Sequence, residues 1–402
     1  MNSVRRVLIL MSDTGGGHRA AAEAIRDALV RKHGDEVIVN VVDVFRSYSP
    51  FPFKFFPEMY PWAIKNGKFA WRISYNMSNR RGRVRLLNSS LGAAIQRGIK
   101  RMLISEQDAD VIVCVHPMLA TPTMNVLRKQ PSRPPFISVV TDLVSTHAFW
   151  YERRLDRILV PTQPAYDHGI QLGVAPEKLR VTGLPVNPRF ADGLISKAVA
   201  RERLGWDRAL PTILLVGGGQ GMGPLFRIAR RINRLPGEFQ FAIVAGRNAM
   251  LEERLNAQRW QHPTNIYGFV TNMPEMMVAA DLLVTKAGPA TIMEACMAAL
   301  PMILSDKIPG QEDGNVSYVV SNHAGVYAPG PAKTARAVGQ WLEHGTQFLQ
   351  ERAENAHKLA RPDAVWEIAD EVWHFAQQAR IAQSPRRRQN LRRGRARASV
   401  KS

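Results

Sequence analysis

Nine short runs rich in Val, Ile and Leu punctuate the chain, at 4–11, 37–42, 111–115, 136–140 and 157–160 and again at 212–216, 241–245, 282–285 and 302–305, with helix-patterned stretches between them. Strand-like runs that alternate with helical ones imply parallel sheets whose strands are joined by crossover helices. A glycine-rich turn follows the first run and another follows the run at 212–216, so the pattern restarts halfway along the chain. We expect an α/β protein of two doubly wound, Rossmann-like units in series. The join falls near Gly183-Leu184-Pro185-Val186-Asn187-Pro188, where turn formers interrupt the periodicity. This divides the chain into an N-terminal domain at 1–184, a C-terminal domain at 185–363, a helical segment at 364–383 able to return to the N-terminal domain, and a basic tail at 384–402, expected to be disordered. At 402 residues, 45% of them hydrophobic, there is material for two cores.

The first glycine turn carries the most distinctive chemistry. Ser12-Asp13-Thr14-Gly15-Gly16-Gly17-His18-Arg19-Ala20 runs from the end of an apolar strand into a helix start. Glycines let the chain turn tightly and let another molecule approach the backbone, while the helix N-terminus presents N–H groups and a positive potential. An imidazole there is disfavoured as a cation, stays neutral near pH 7 and can take a proton as a general base. Read as Gly15-x-Gly17-x-x-Ala20, the same run also fits a dinucleotide-binding turn with Asp43 as its ribose acid. A histidine that merely occupies a first helical turn is the plainer alternative.

Charge bears on the partners. Fifty-four Lys and Arg against 34 Asp and Glu leave a formal charge of +20, concentrated in the acid-free end from Pro385 to Lys401. Such a tail is attracted to polyanions, whether an anionic bilayer or nucleic acid, or else serves solubility. The stretch from Tyr48 to Arg85 interleaves Phe51, Phe53, Phe55, Phe56, Tyr60, Trp62, Phe69, Trp71 and Tyr75 with Lys54, Lys65, Lys68, Arg72, Arg80, Arg81, Arg83 and Arg85. Rings at headgroup depth and cations at lipid phosphates suit a bilayer interface, and an ordinary core insertion is the alternative. The usual RNA-module motifs do not accompany it, so nucleic acid is the disfavoured partner. No apolar run approaches the ~18 residues that span a bilayer, and the first is too short for a signal-peptide core. Cys114 and Cys296 lack Cys-x-x-Cys spacing, which suggests neither a disulfide framework nor a zinc site. The expected location is cytoplasmic, peripheral on the inner face of the cell membrane.

In the second unit, Lys286-Ala287-Gly288-Pro289-Ala290-Thr291-Ile292-Met293-Glu294 is again strand end, glycine turn and helix start. Diphosphate oxygens can rest on the N–H groups near Gly288 to Thr291, and the Glu294 carboxylate can accept bonds from both ribose hydroxyls. Thr291-x-x-Glu294 is equally a capping box. The loop Ile308-Pro309-Gly310-Gln311-Glu312-Asp313-Gly314-Asn315 mixes an amide with carboxylates, the donors and acceptors that sugar hydroxyls require. A third turn, Gly217-Gly218-Gly219-Gln220-Gly221-Met222-Gly223, can approach the diphosphate or the sugar.

Together, the first glycine turn, the 286–295 run and the 309–315 loop resemble the monogalactosyldiacylglycerol synthase branch of the glycosyltransferases related to the MurG-type peptidoglycan enzyme, over roughly residues 4 to 380. The resemblance implies a GT-B fold, two Rossmann-like domains with an acceptor side at the N-terminus, a UDP-sugar side at the C-terminus and a cleft between. It implies a base at His18. Nucleotide contacts would fall at Gly288, Pro289, Ala290, Thr291 and the ribose-binding Glu294, and uracil contacts at Gly268, Phe269 and Val270. Sugar or diphosphate contacts would fall at Gly15, Gly16, Gly17, Gly219, Gly221, Lys286, Gln311, Glu312 and Asn315. The segment from Thr141 and Asp142 to His147 resembles a cleft-facing stretch, although Ala148 and Phe149 depart from the expected proline-containing pattern. Asp142 and His147, with Trp62 and Trp71, mark the acceptor and membrane side.

The implied activity moves a hexose, galactose before glucose, from UDP-hexose to the free hydroxyl of 1,2-diacylglycerol, with inversion to a β-glycolipid. UDP-hexose, diacylglycerol and an anionic membrane surface are the expected partners. Neither cofactor nor metal is expected: Asp108-Ala109-Asp110 matches the Asp-x-Asp signature of metal-dependent sugar transferases but precedes a strand, and helix ends with Lys286 can offset the leaving charge of UDP. Two alternatives stand beside this reading. A UDP-sugar epimerase or hydrolase of the same fold would turn over donor without lipid, and a polyanion-associated binding protein would turn over nothing.

Overall fold

A computed structural model describes residues 4–14, 16–59, 67–79, 95–190, 192, 195–221 and 223–381. Among them, twelve strands form two six-stranded sheets, each strand parallel to its neighbours. The first sheet contains β1 (Arg5–Met11), β2 (Val37–Asp43), β3 (Val111–Cys114), β4 (Phe136–Val139), β5 (Arg157–Val160) and β6 (Leu179–Val181), in the order β2-β1-β3-β4-β5-β6. The second contains β7 (Thr212–Val216), β8 (Gln240–Val244), β9 (Thr264–Tyr267), β10 (Leu282–Lys286), β11 (Met302–Asp306) and β12 (Gly325–Tyr327), in the order β12-β11-β10-β7-β8-β9. Strands β3, β4, β7 and β8 are buried along their whole length. Helices cover both faces of such sheets, which is why these strands read as unbroken apolar runs.

Strand order reverses once in each sheet. In the first, β1 lies between β2 and β3; in the second, β7 lies between β8 and β10. A reversal opens a crevice outside the carboxyl ends of the strands, the place where open α/β sheets bind ligands. The turn that ends in Gly16 and Gly17 leaves β1 at the first crevice, and the turn through Ala287 and Gly288 leaves β10 at the second. The helices that begin there, Gly17–His33 and Pro289–Met297, approach one another, so both crevices open on one cleft. This is the GT-B arrangement of two Rossmann-like domains.

The chain crosses between the domains at two points that touch. Gly183 stands at φ +103°, and a Cβ there would come within 2.7 Å of the Ala364 Cβ, at the start of the last helix. That helix, Ala364–Ile381, lays Val365, Ile368 and Val372 on the face of the first sheet that also carries Ile25 and Leu29. Arg180 donates to Glu371 at 2.5 Å, and His33 stacks on Trp373 with ring centroids 3.8 Å apart.

Three strands are absent from the sequence pattern: β6, β9 and β12. Each is a sheet edge of three or four residues. An edge admits polar residues such as Arg180 and Asn265, so no apolar run announces it. The aromatic and basic stretch follows the short helix Val44–Tyr48 and contains a 3-10 turn at Phe53–Phe55 and the helix Lys68–Ser78. Tyr60, Trp62, Lys65, Arg80, Arg81, Arg83, Arg85 and the tail at 384–402 lie outside the described residues. No helix of the described residues is long and apolar enough to cross a membrane.

Candidate active site

Gly16 caps the helix Gly17–His33 at φ +82°, a left-handed conformation open to glycine at little cost. The turn thus delivers His18 into the first helical turn, while Gly15 lies outside the described residues. Thr141, just beyond β4, places its Oγ1 2.9 Å from His18 Nδ1. The ring lies 4.6 Å from that of His116 and 6.2 Å from that of Trp150. Loss of solvent among these groups pushes the His18 pKa down to about 4, against the opposing pull of the Val115 carbonyl. Desolvation is therefore the main cause, where the sequence pointed to the helix end. His116 is buried, its Nε2 2.9 Å from Thr14 Oγ1 and its Nδ1 without a partner among the described residues. Burial, and then the proximity of His18, hold its pKa well below the usual histidine value.

Asp43 has a different task from the ribose acid of a dinucleotide site. Its carboxylate accepts the Asp13 N–H at 3.1 Å and the Arg46 N–H at 3.0 Å, which fixes the turn and caps the helix Val44–Tyr48. Asp13 in turn takes both arms of Arg19 at 2.6 Å, and that bond holds its pKa below the usual carboxylate value. Asp110 accepts the Arg6 N–H at 2.8 Å, at the amino end of the first sheet and away from the cleft. Among the described residues no three His, Cys, Asp or Glu side chains are grouped to hold a metal ion.

On the opposite wall, Gly288 caps the helix Pro289–Met297 without any side-chain bond, so the Thr291-x-x-Glu294 capping box does not form. The first intrahelical bond there reaches Ile292, which leaves the Ala290 and Thr291 amides for a ligand. The Glu294 carboxyl takes no hydrogen bond from another described residue, and burial pushes its pKa up to about 7. Lys286 donates to Glu312 Oε1 at 2.6 Å, and Glu312 Oε2 accepts the Ile308 N–H at 2.8 Å. Glu312 is therefore a structural anchor of the 308–315 loop as well as a neighbour of the site. Asn315 donates to the Ala287 carbonyl at 3.0 Å and leaves its Oδ1 buried without a partner among the described residues.

The remaining glycine turn packs beside these groups. A Cβ on Gly218 would meet the Lys286 side chain, and a Cβ on Gly221, at φ +58°, would stand 2.1 Å from the Ala245 carbonyl oxygen. The Gly219 carbonyl accepts the Arg247 N–H at 3.0 Å, and the Arg247 guanidinium lies 3.8 Å from the ring centre of Phe269, which is 53% exposed. Gly268 leaves room for the Glu252 carboxylate, 2.7 Å from where its Cβ would be, and Val270 packs on the domain core.

The two walls touch at the segment that follows β4. Asp142 is buried, accepts the Trp150 indole N–H at 2.7 Å and receives a bond from Gln311 of the other domain. Desolvation outweighs these donors and raises its pKa to about 6. Gly314 donates to Ser145 Oγ at 2.8 Å, and Leu143 joins the core of the C-terminal domain. The charge of Arg247 also reaches Asp13. His147 sits apart from His18: its Nδ1 accepts the Phe149 N–H at 3.1 Å and its Nε2 lies 2.9 Å from Ser78 Oγ, while burial lowers its pKa to about 4. Trp71 is half-buried on the helix that carries Ser78, and Trp62 lies outside the described residues.

Sequence reasoning passed over His116 and Arg247, and it marked the 141–147 stretch without singling out Ser145. His116 follows β3 as closely as the glycine turn follows β1, and Arg247 follows β8 in Gly246-Arg247-Asn248. A polar residue directly after a buried parallel strand was the available signal.

Comparison with known proteins bears on the family and the fold. The family described as monogalactosyldiacylglycerol (MGDG) synthase matches residues 18–186, and the glycosyltransferase family 28 C-terminal domain matches residues 212–368. A probable chloroplastic monogalactosyldiacylglycerol synthase of Nicotiana tabacum is 38% identical over 383 residues, 93% of this chain and 71% of that protein. The crystal structure of MurG from Acinetobacter baumannii superposes with a TM-score of 0.60 at 15% identity, over 92% of this chain and 99% of MurG. HepE of Anabaena, solved in complex with UDP-glucose, superposes with a TM-score of 0.51 at 14% identity, over 94% and 99%. At these identities the structural likeness speaks for the fold.

Proposed function

Because the chain belongs to the monogalactosyldiacylglycerol synthase family, we propose that it transfers a galactosyl group from UDP-galactose to the free hydroxyl of diacylglycerol, with His18 as the base. One observation carries the residue assignment: a neutral imidazole lies at one lip of the cleft, and on the other a helix N-terminus stands above an unpartnered carboxyl, Glu294.

In the tautomer that places its proton on Nδ1, towards Thr141, His18 offers the Nε2 lone pair to the acceptor. The hydroxyl proton passes to Nε2 as the oxygen attacks the anomeric carbon, and the bond from that carbon to the UDP oxygen breaks on the opposite face. An α-linked donor then yields a β-galactoside by inversion. The Ala290 and Thr291 amides face the growing charge on the diphosphate, with the Lys286 ammonium, paired to Glu312, beside them, so the fixed dipoles of the helix end do most of the work of offsetting it. Glu294 accepts the ribose hydroxyls, Phe269 offers a face to uracil, and the Asn315 Oδ1 accepts a hexose hydroxyl. The low pKa of His18 keeps the base unprotonated throughout the neutral range.

The acceptor is a lipid and arrives from a membrane surface. Phe51, Phe55, Met59, Ile73 and Met77 are exposed on the N-terminal side, with Lys54 and Arg72 among them. Apolar side chains flanked by cations match the interface of an anionic bilayer. Replacing His18 by Ala tests the assignment: transfer into lipid collapses while UDP still binds. An unchanged transfer rate removes His18 from this role.

A further inference from the structure

The helix Lys68–Ser78 has two faces with different tasks. Its outer face exposes Arg72, Ile73 and Met77, with Ile73 at 44% and Met77 at 49%. Its inner face, on the spacing of helical turns, carries Trp71, Tyr75 and Ser78. Tyr75 donates its hydroxyl to the Ser145 carbonyl at 2.8 Å, and Ser78 Oγ meets His147 Nε2 at 2.9 Å. Asn79, at the helix end, accepts the Ala148 N–H at 2.7 Å. All three bonds grip one segment, residues 145–148.

That segment is continuous with the groups that complete the cleft. Three residues before Ser145 is Asp142, which receives Gln311 from the other domain, and before it Thr141, which holds His18. Ser145 itself accepts the Gly314 N–H through Oγ while its carbonyl takes Tyr75. Ser145 thus stands four residues along the chain from Thr141, which holds the base, and two hydrogen bonds through Ser145 link the helix to the opposite domain. Its outer face carries the charge and the apolar side chains that fit an anionic lipid surface.

We propose that Tyr75 and Ser78 are positioning residues that couple the seating of this helix on a membrane to the placement of His18 and the closure of the cleft. Seating restrains the helix, the three bonds pass that restraint to residues 145–148, and Thr141 and Ser145 carry it to the base and to Gly314. The proposal rests on the transfer reaction above and adds its regulation by the surface that presents the acceptor.

The test uses the full chain and two acceptors: long-chain diacylglycerol in phosphatidylglycerol-containing vesicles, and a short-chain diacylglycerol dissolved as monomers. For Tyr75→Phe and Ser78→Ala the ratio of kcat on vesicles to kcat on the dissolved acceptor falls about tenfold, the scale of one lost hydrogen bond. KM for UDP-galactose and sedimentation with vesicles stay as in the parent, and Ser78→Thr, which keeps the hydroxyl, restores the ratio. An equal fall on both acceptors, or no fall on either, overturns the proposal. Failure of the parent protein to transfer to either acceptor instead overturns the reaction on which it rests.

Discussion

His18 is held among Thr141, His116 and Trp150, and its proton affinity differs between the folded and unfolded chain. An ordinary histidine titrates near 6.5, whereas here the pKa is about 4. Between those values the unfolded chain binds a proton that the folded chain does not. This residue's contribution to stability is therefore complete above pH 6.5 and lost as pH falls towards 4. Imidazole nitrogen NMR, with His18→Gln to assign the signal, is expected to show a neutral ring down to about pH 5; a midpoint near 6.5 would contradict the burial argument. His18→Ala is expected to slow transfer by roughly 10²–10⁴-fold with UDP affinity retained, measured as label entering lipid beside calorimetry. Glu294→Gln should weaken UDP binding by about 10- to 100-fold, since a carboxylate that accepts two hydroxyls is worth more than a neutral amide. Wild-type affinity in that variant would take Glu294 out of the ribose site. Both residues were legible because each lies beside a glycine turn. His116 was not, because its partner Thr14 is 102 positions away and only the pairing of β1 with β3 joins them.

Among the elements, the loops that leave β1, β7 and β10 were the readable ones, because glycine and apolar runs are local signals. The edge strands β6, β9 and β12 were not readable, since half-exposed backbone tolerates almost any side chain. Nor did the sequence show that the segment after β4 would meet the 308–315 loop, a contact made by Asp142 with Gln311 and by Ser145 with Gly314. The turn after β7 is tightly constrained at Gly221. Gly221→Ala places a Cβ 2.1 Å from the Ala245 carbonyl oxygen at a positive φ, so the backbone of one of the two interlocked turns must move. The expected outcome is a folded protein with UDP affinity lowered by roughly tenfold or more, on the scale of strained backbone. Calorimetry with UDP and a thermal melt of the same sample separate loss of the site from loss of the fold.

At the scale of the whole molecule, the proposed donor site and the proposed base belong to different domains, so the proposed turnover needs both walls of the cleft in register. Gly314 lies at the contact: a Cβ there would meet Ser145 Oγ at 2.6 Å and Val144 at 2.8 Å. Gly314→Ala should therefore lower kcat while leaving UDP affinity intact, because the nucleotide groups lie within the C-terminal domain. The return of the helix Ala364–Ile381 to the first sheet adds a second tie, through Glu371 with Arg180 and His33 with Trp373. The most direct test of the account as a whole is the fate and anomeric configuration of the sugar. Purified protein is incubated with diacylglycerol vesicles and UDP-galactose labelled in the sugar, and the products are resolved by proton NMR. The expected products are galactosyl-diacylglycerol with a β linkage and one UDP released per lipid formed. Free galactose, an epimerised UDP-sugar without lipid product, or an α-linked lipid would contradict the proposed transfer.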